Sequence, residues 1–343
     1  MRLRAWTLGL LLGIACAQPV FAQRALRPLD VPGSATWQHA ASGLILPATI
    51  DGSRRVSIGD SGTEELDVSA QYEGADGLTT TIYLFRSQLP VVPLWFDRSR
   101  TVLEQLRLQT SEPVAPGSSV TFALPGRTIA SGMRATYPFG VGGYRSTGLA
   151  LAATGGWLVK VRMSSRTLEP LALDAKLAGF VGATRWPTAD EPATAIKPVQ
   201  PCGDTLRFAK ARMVKPDMAQ GLLGSLIAMA GSAKGPDPGA RYCRELSEGV
   251  VFGVYRRVGT NNGYLMAIAD SGRVLSVGLS PKIDPKVKPS YSVTLLDLGA
   301  SATYPSFDRL PEPRQALQLI TSQRPLSSTK VGSTTINIDA SRN

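Results

Sequence analysis

Alternation of apolar and polar residues dominates the first half of the chain. "ELDVSAQY" (65–72) alternates, and "TTTIYLFR" (79–86) is rich in β-branched and aromatic residues, as strands are. Asp76-Gly77 lies between the two segments and is a hairpin turn signal. The same pattern predicts further strands in "SVTFAL", "SGMRATYPF", "YRSTGLALAA" and "WLVKVRMS". The first half is therefore predicted to form a series of adjacent antiparallel strands.

Two segments of the first half have helical periodicity instead. In "VPLWFDRSRTVLEQLRL" (92–108), one side of a helix would be apolar and the charged residues would lie opposite. The apolar positions are Leu94, Trp95, Val102, Leu103 and Leu106. "LEPLALDAKLAGFVGATRW" (168–186) is predicted to be an amphipathic helix that ends at a Trp-Pro step. Core packing is the expected role of Trp95, Phe96, Trp157 and Trp186, and a tryptophan-lined ligand groove is the alternative.

The second half repeats this order of elements. "TLRFAKAR" (205–212) is predicted to be a strand, and "PDMAQGLLGSLIAMAG" (216–231) a helix with proline in its first turn. Four strands follow in "VVFGVYRRV", "GYLMAIA", "RVLSVGL" and "YSVTLLDL", and a last helix in "PEPRQALQLITSQ". An internal duplication would explain the repeated order, but residue identity between the halves does not establish it.

These elements predict an α+β fold with two domains of mostly antiparallel sheet and helices packed on the faces. The proline-rich segment "PTADEPATAIKPVQ" is predicted to be the linker between the domains. The tail is rich in Ser and Thr; disorder is expected there, with "STTINID" as a candidate edge strand. The predicted boundaries are 1–22 for a signal peptide, 23–43 for an N-terminal extension, 44–186 for the first domain, 187–200 for the linker, 201–323 for the second domain and 324–343 for the polar tail.

The N-terminus has the features of a secretory signal peptide. Arg2 and Arg4 precede an apolar run that is too short to span a bilayer, and small residues precede a cleavage position after Ala22. Lipidation at Cys16 is the alternative. No later stretch approaches the roughly 20 apolar residues of a membrane helix. We therefore expect an exported protein, periplasmic or secreted, with no transmembrane segment in the mature chain.

The strand "WLVKVRMSS" and the helix that follows it resemble the corresponding part of PsbP-like domains, in which a strand with a Lys-x-Arg end precedes a C-terminal helix. The similarity covers residues 44–186 and depends on the order of the elements and on "LVKVR". PsbP-like domains are α/β/α sandwiches, mostly accessory and non-catalytic, so the resemblance implies a non-catalytic role. The chain is also similar to uncharacterised exported proteins of proteobacteria. Neither resemblance assigns a functional residue.

Two cysteines remain after cleavage, Cys202 and Cys243. A pair of cysteines in an oxidising compartment usually forms a disulfide. This one would close a loop of about 40 residues and stabilise the fold by ~4 kcal/mol in the chain-entropy model. A redox or metal site would need closer spacing or more ligands, so we expect a structural disulfide.

The formal net charge is +11, and loss of Arg2 and Arg4 lowers it to +9. A basic exported protein is attracted to anionic lipid headgroups and acidic glycans. The basic residues are scattered along the chain, except for Lys282, Lys286 and Lys288 in the proline-spaced segment "SPKIDPKVKPS". These three lysines are the candidate binding residues. An exported chain without a recognition motif is not expected to bind nucleic acid.

One short motif points to catalysis. "SIGDSGTEELDV" (57–68) contains the Gly-Asp-Ser-Gly of trypsin-like serine proteases, with Ser61 at the position of the nucleophile. The single histidine, His39, is only 22 residues away, and Glu64 and Glu65 would place the wrong charge at an oxyanion site. Asp, Ser and Gly also favour turns for local reasons, as in the apolar-flanked tripeptide 270–272. We therefore predict a turn at Ser61 and a surface position for His39.

No other constellation indicates a catalytic residue, a metal ligand or a cofactor. The sequence thus favours a non-catalytic envelope protein that binds a protein partner or an anionic surface polymer. A hydrolase that acts on an envelope substrate through carboxylates is the alternative, because paired acids can lie far apart in a sequence.

Overall fold

The structure is a computed structural model that describes residues 25–108, 119–188, 194–215, 222–223, 226, 237, 240–280, 288–330, 333 and 335–338. The predicted signal peptide with its cleavage position, the alternative lipidation site Cys16, and most of the predicted helix 216–231 lie outside the described residues.

The first half folds into a nine-stranded antiparallel sheet, sheet 1. Its strands are β1 (Arg27–Pro28), β4 (Thr49–Ile50), β5 (Ser53–Asp60), β6 (Asp67–Glu73), β7 (Thr79–Arg86), β8 (Val120–Phe122), β9 (Gly132–Pro138), β10 (Ser146–Thr154) and β11 (Trp157–Ser165). Their order is β1-β5-β6-β7-β11-β10-β9-β8, and β4 pairs with β5. A separate two-stranded sheet contains β2 (Trp37–Gln38) and β3 (Ile45–Leu46).

The second half forms another nine-stranded sheet, sheet 2, whose strands follow one another in chain order. They are β12 (Gln200–Pro201), β13 (Tyr242–Glu248), β14 (Phe252–Arg257), β15 (Gly263–Ile268), β16 (Arg273–Leu279), β17 (Tyr291–Leu296), β18 (Ala300–Phe307), β19 (Ser327–Lys330) and β20 (Ile336–Ile338). Neighbours are antiparallel except β12 and β13, which are parallel. The two sheets thus differ in connectivity, although their predicted element orders were alike.

The predicted α+β class is wrong: the fold is mainly β, with 41% of the described residues in strands and 18% in helices. Fewer strands were predicted than are present, because several of them lack strong alternation of apolar and polar residues. The predicted polar tail, for example, supplies β19 and β20, the latter within the candidate edge strand. Segment 205–212, predicted to be a strand, forms none; its apolar residues pack instead against the core of sheet 2.

Three α-helices of the described residues pack against the sheets: α1 (Val92–Leu108), α2 (Pro170–Ala183) and α3 (Pro313–Ser322). Helix α2 contributes Leu173, Leu177 and Phe180 to the core on one face of sheet 1. Helix α3 contributes Ala316 and Leu319 to the core on one face of sheet 2. Helix α1 packs against the remaining faces of both sheets.

The core around α1 joins the two halves of the chain. Trp95 and Phe96 pack there against Met133 and Leu149 of sheet 1 and Tyr255 of sheet 2, among others. The tryptophans at 95 and 157 are fully buried, as predicted for core residues. Because α1 has a sheet on each side, residues 94–99 are all buried. A helix of a surface layer would bury only one stripe of its circumference.

Charged residues of α1 are buried in this core as well. Asp97 is 3% exposed and Arg98 is 0% exposed, so the predicted charged side of the helix is wrong at these positions. Asp97 accepts hydrogen bonds from Arg244 at 2.7 Å and from the Tyr255 hydroxyl at 3.0 Å. Arg98 donates to the carbonyl oxygens of Ala269 and Gly249, both at 2.6 Å. Each contact joins α1 to sheet 2 or its turns.

A second polar contact between the halves centres on Asp270. Its Oδ1 accepts a hydrogen bond from Ser99 of α1 at 2.6 Å, and its Oδ2 pairs with Lys160 of β11 at 2.5 Å. Nearby, the hydroxyl of Ser87 donates to the carbonyl oxygen of Gly272 at 2.9 Å. The partners of Asp270 thus come from both the helix and sheet 1, which makes this carboxylate a structural link.

The Asp97→Ala variant should lower the free energy of unfolding by roughly 3 kcal/mol, because it leaves the partners of a buried carboxylate unpaired. Urea unfolding followed by tryptophan fluorescence measures the change. Glu64→Gln is the control, since Glu64 pairs with Lys330 where both side chains are solvent-exposed, and should have little effect. Equal effects of the two variants would contradict the structural role of Asp97.

Candidate anion-binding surface

Ser61 lies in a turn, as predicted. Residues 61–66 connect β5 to β6, and the amide of Ser61 donates to the carbonyl oxygen of Asp67 at 2.8 Å. The carboxylate of Asp60 accepts hydrogen bonds from the amides of Gly62 and Glu65, which fixes the turn locally. Residues 269–272 form the corresponding turn between β15 and β16. Local hydrogen bonding therefore accounts for the Gly-Asp-Ser-Gly motif.

The predicted surface position of His39 is wrong, because this side chain is 1% exposed. Its Nδ1 lies 2.8 Å from the Ser42 hydroxyl and accepts the Ser42 amide, and its Nε2 lies 3.2 Å from the carbonyl oxygen of Glu65. The ring packs edge-on against Trp157, with centroids 4.5 Å apart. Both ring nitrogens are thus engaged by the turns that surround the imidazole, and neither is bonded to Ser61.

The predicted disulfide is present between Cys202 and Cys243 and ties the chain after β12 to β13. A buried ion pair lies beside it: Nε of Arg256 contacts Oε2 of Glu245 at 2.8 Å. Arg256 also contacts the carboxylate of Asp204, and the amide of Leu206 donates to Glu245. Residues 202–206 are therefore held against β13 and β14.

The chain from 206 to 215 then runs along the end of β18. The amide of Val214 donates to the carbonyl oxygen of Ser306 at 2.8 Å, and the amide of Asp308 donates to that of Arg212 at 3.0 Å. The Asp308 carboxylate accepts the Arg212 amide at 2.8 Å. Apolar side chains of this segment, including Leu206, pack into the core of sheet 2. The basic side chains of the same segment are exposed.

This arrangement gathers cationic side chains at one end of sheet 2. Lys210, Arg212 and Arg309 line a pocket of about 380 Å³ together with Ala211 and Asp308.

Two more lysines lie at the same end of sheet 2. Lys215 directly follows Val214. Lys288 lies two residues before Ser290, whose hydroxyl donates to that of Ser280 just after β16. We refer to five exposed residues as the basic edge: Lys210, Arg212, Lys215, Lys288 and Arg309.

Some exposed cations of this chain are paired with a carboxylate, whereas those of the basic edge are not. Arg145, Arg257 and Arg314 each pair with a carboxylate of a neighbouring segment. None of the five side chains of the basic edge forms an ion pair with another residue of the described chain. Asp308 is the acidic residue that lines the pocket, and its carboxylate already accepts a backbone amide. The basic edge thus offers cations for an external anion.

Of the three predicted binding lysines, Lys288 is exposed, whereas Lys282 and Lys286 lie outside the described residues. The sequence did not single out Lys210, Arg212, Lys215 or Arg309. The spacing of basic residues in "RFAKARMVK" could have indicated an exposed basic face. The proximity of this segment to Arg309 could not have been predicted from the sequence, because only the fold brings the two together.

No protein-family model, no curated protein and no solved structure matches this chain. The resemblance of residues 44–186 to PsbP-like domains therefore stays a prediction, as do the domain boundaries. Within the described residues, no helix is long and apolar enough to cross a membrane. This finding and the disulfide are compatible with export.

Stability should fall as the pH decreases below about 7.5, because burial lowers the pKa of His39 below its ordinary value of 6.5. The hydrogen bond to Glu65 and the charges of Glu65 and Asp60 oppose this shift. The unfolded chain takes up a proton in this range before the folded chain does, so its free energy falls relative to that of the folded chain.

Urea unfolding at several pH values measures the effect, with His39→Gln as the comparison. Burial raises the pKa of Asp67, which gives a pH dependence of opposite sign, so the difference between the two proteins is the informative quantity. Identical pH profiles for the wild type and His39→Gln would contradict the prediction.

Replacing both cysteines, Cys202→Ser with Cys243→Ser, should lower the free energy of unfolding by ~4 kcal/mol, since the disulfide closes a loop of sequence separation 41. The measurement is urea unfolding of the double variant against the oxidised protein. The reduced wild type should behave like the double variant. Unchanged stability in both would show that the disulfide does not constrain the unfolded chain.

Proposed function

We propose that this chain is an exported, non-catalytic envelope protein that binds an anionic envelope component through the basic edge. The observation that carries the proposal is the set of exposed cationic side chains at one end of sheet 2, none of them paired with a described carboxylate. Such a surface attracts polyanions over a distance set by the ionic strength.

The formal charge of the chain supports the same function. Its value of +11, or +9 without Arg2 and Arg4, attracts the protein to any anionic surface of the envelope. The basic edge gives this general attraction a defined site, because Arg guanidinium groups bind oxyanions in a bidentate manner. Export itself is proposed from the signal-peptide pattern, with cleavage after Ala22 and a periplasmic or secreted mature protein.

The binding is tested with polyphosphate as the anionic probe, by fluorescence anisotropy at low and high salt. A triple variant, Lys210→Gln with Arg212→Gln and Arg309→Gln, should bind about 100-fold more weakly at low salt, at about 1 kcal/mol for each basic side chain near an anionic surface. The salt dependence of the remaining binding should also be smaller.

The matched control removes three exposed charges elsewhere, Arg54→Gln with Lys176→Gln and Arg185→Gln, and should retain most of the affinity. Equal losses in the two triple variants would mean that net charge alone determines the binding. Crosslinking in intact cells separates a polymer from a protein ligand: recovery of one protein in near-equal amounts would favour a protein partner instead.

A further inference from the structure

We propose that the basic edge binds a phosphate monoester, the phosphoryl group of a phosphorylated sugar, and that the hydroxyls of Ser280 and Ser306 help to hold it. This inference rests on the proposed function and specifies the chemistry of the anion. It separates phosphate from the carboxylates of acidic glycans, which the net charge of the chain would attract as well.

Three serine side chains form a chain of hydroxyls at this end of sheet 2. Ser290, which is buried, donates to the hydroxyl of Ser280 at 2.9 Å. The hydroxyl oxygens of Ser280 and Ser306 are 3.4 Å apart. The amide of Ser280 donates to the carbonyl oxygen of Ser290 at 2.7 Å, which holds the two segments together. Ser280 and Ser306 are half-buried, so both keep some contact with solvent.

This chain has more hydroxyl hydrogens than its described neighbours accept. Each serine hydroxyl has one hydrogen to donate. Ser290 gives its hydrogen to Ser280, and Ser280 and Ser306 can use at most one between them. Their separation is also longer than the roughly 2.8 Å of an ordinary hydroxyl pair. At least one hydrogen of this pair therefore has no acceptor among the described residues and can be donated to an external oxyanion.

Strand pairing places Arg212 on the same side as Ser306. Met213 forms an antiparallel bridge with Phe307, and the amide of Val214 donates to the carbonyl oxygen of Ser306. Residues opposite each other in an antiparallel pair share a face, and side chains alternate along each strand. Val214 therefore shares a face with Ser306, and so does Arg212, two residues earlier. Two residues of a strand span about 7 Å, a distance that an arginine side chain can bridge.

The pocket of the basic edge has the size and charge for a phosphorylated sugar. Its volume of about 380 Å³ lies within the range of about 300–1,000 Å³ that small-molecule sites occupy. Lys210, Arg212 and Arg309 line it with the carboxylate of Asp308. Three cations and one carboxylate give the lining a net charge of +2. The pocket is thus complementary to a dianion.

A phosphate monoester matches these donors better than a carboxylate does. It carries a charge of about −1.5 to −2 at pH 7 and has three strong acceptor oxygens. A carboxylate carries a single charge, and one guanidinium group can bind both of its oxygens. Here the guanidinium groups of Arg212 and Arg309 and the serine hydroxyls come from separate segments. A group with three acceptor oxygens can use donors from several directions at once.

The test is competition against labelled polyphosphate, measured by fluorescence anisotropy on the purified, oxidised protein at constant ionic strength. Glucose 6-phosphate is the monoester, and glucarate is a sugar acid whose two carboxylates give it about the same charge. Glycerophosphoglycerol, the headgroup of a phospholipid, is a phosphodiester. Glucose 6-phosphate should compete at a concentration about tenfold or more below that of either other compound.

The double variant Ser280→Ala with Ser306→Ala should need about tenfold more glucose 6-phosphate for the same competition, because a hydrogen bond to a charged oxygen is lost. Competition by glucarate should hardly change. Ser292→Ala is the matched control, since the Ser292 hydroxyl already donates to the carbonyl oxygen of Gly278 at 3.3 Å, and it should alter neither value. Circular dichroism and thermal melting verify folding. Ser306→Ala alone, which keeps the bond between Ser290 and Ser280, is used if the double variant does not fold.

Three results would overturn the inference and leave the proposed function standing. They are equal competition by glucose 6-phosphate and glucarate, unchanged competition in the folded serine variant, and stronger competition by glycerophosphoglycerol, which would indicate a lipid headgroup. If the wild type does not bind polyphosphate at all, the proposed function fails together with this inference.

Discussion

The burial of α1 between two sheets is the constraint on which the rest of the structure depends. In the enclosed part of this helix, residues 94–99, no side faces solvent, so Asp97 and Arg98 need partners inside the protein. Arg244, Tyr255 and the carbonyl oxygens of two turns supply them, all from sheet 2. The orientation of the two halves is thereby determined by hydrogen bonds as well as by apolar contact.

Sheet 2 combines this internal role with the proposed external one. One of its faces contributes to the core around α1, and its opposite face packs against α3. Its strands follow one another in chain order, so the connections between them lie at the two ends of the sheet. The basic edge lies at one of these ends. The segment 206–215 reaches that end because the disulfide and the Arg256–Glu245 pair hold its beginning, while β18 holds its remainder.

Local physical chemistry made much of this fold predictable. Alternation located strands such as β6 and β7, and apolar spacing located α1 and α2, because these signals depend on neighbouring residues. The predicted fold class was wrong because strand pairing stabilises β13, β19 and β20, whose own sequences show only weak alternation of apolar and polar residues. The burial of Asp97 and of His39 was missed for a related reason: their partners lie far away in the sequence. Of the basic edge, only Lys288 was singled out, since contact between 206–215 and Arg309 is a property of the tertiary fold.

The enclosed helix also affects the order in which the chain can fold. Synthesis proceeds from the N-terminus, so α1 and sheet 1 become available before β14, β15 and β16 do. Until those strands arrive, Trp95 and its neighbours have an uncovered apolar side, and Asp97 lacks Arg244 and Tyr255. An incomplete chain therefore exposes an apolar surface and a carboxylate without its hydrogen-bond partners. The first half reaches its native packing only once the second half has been synthesised.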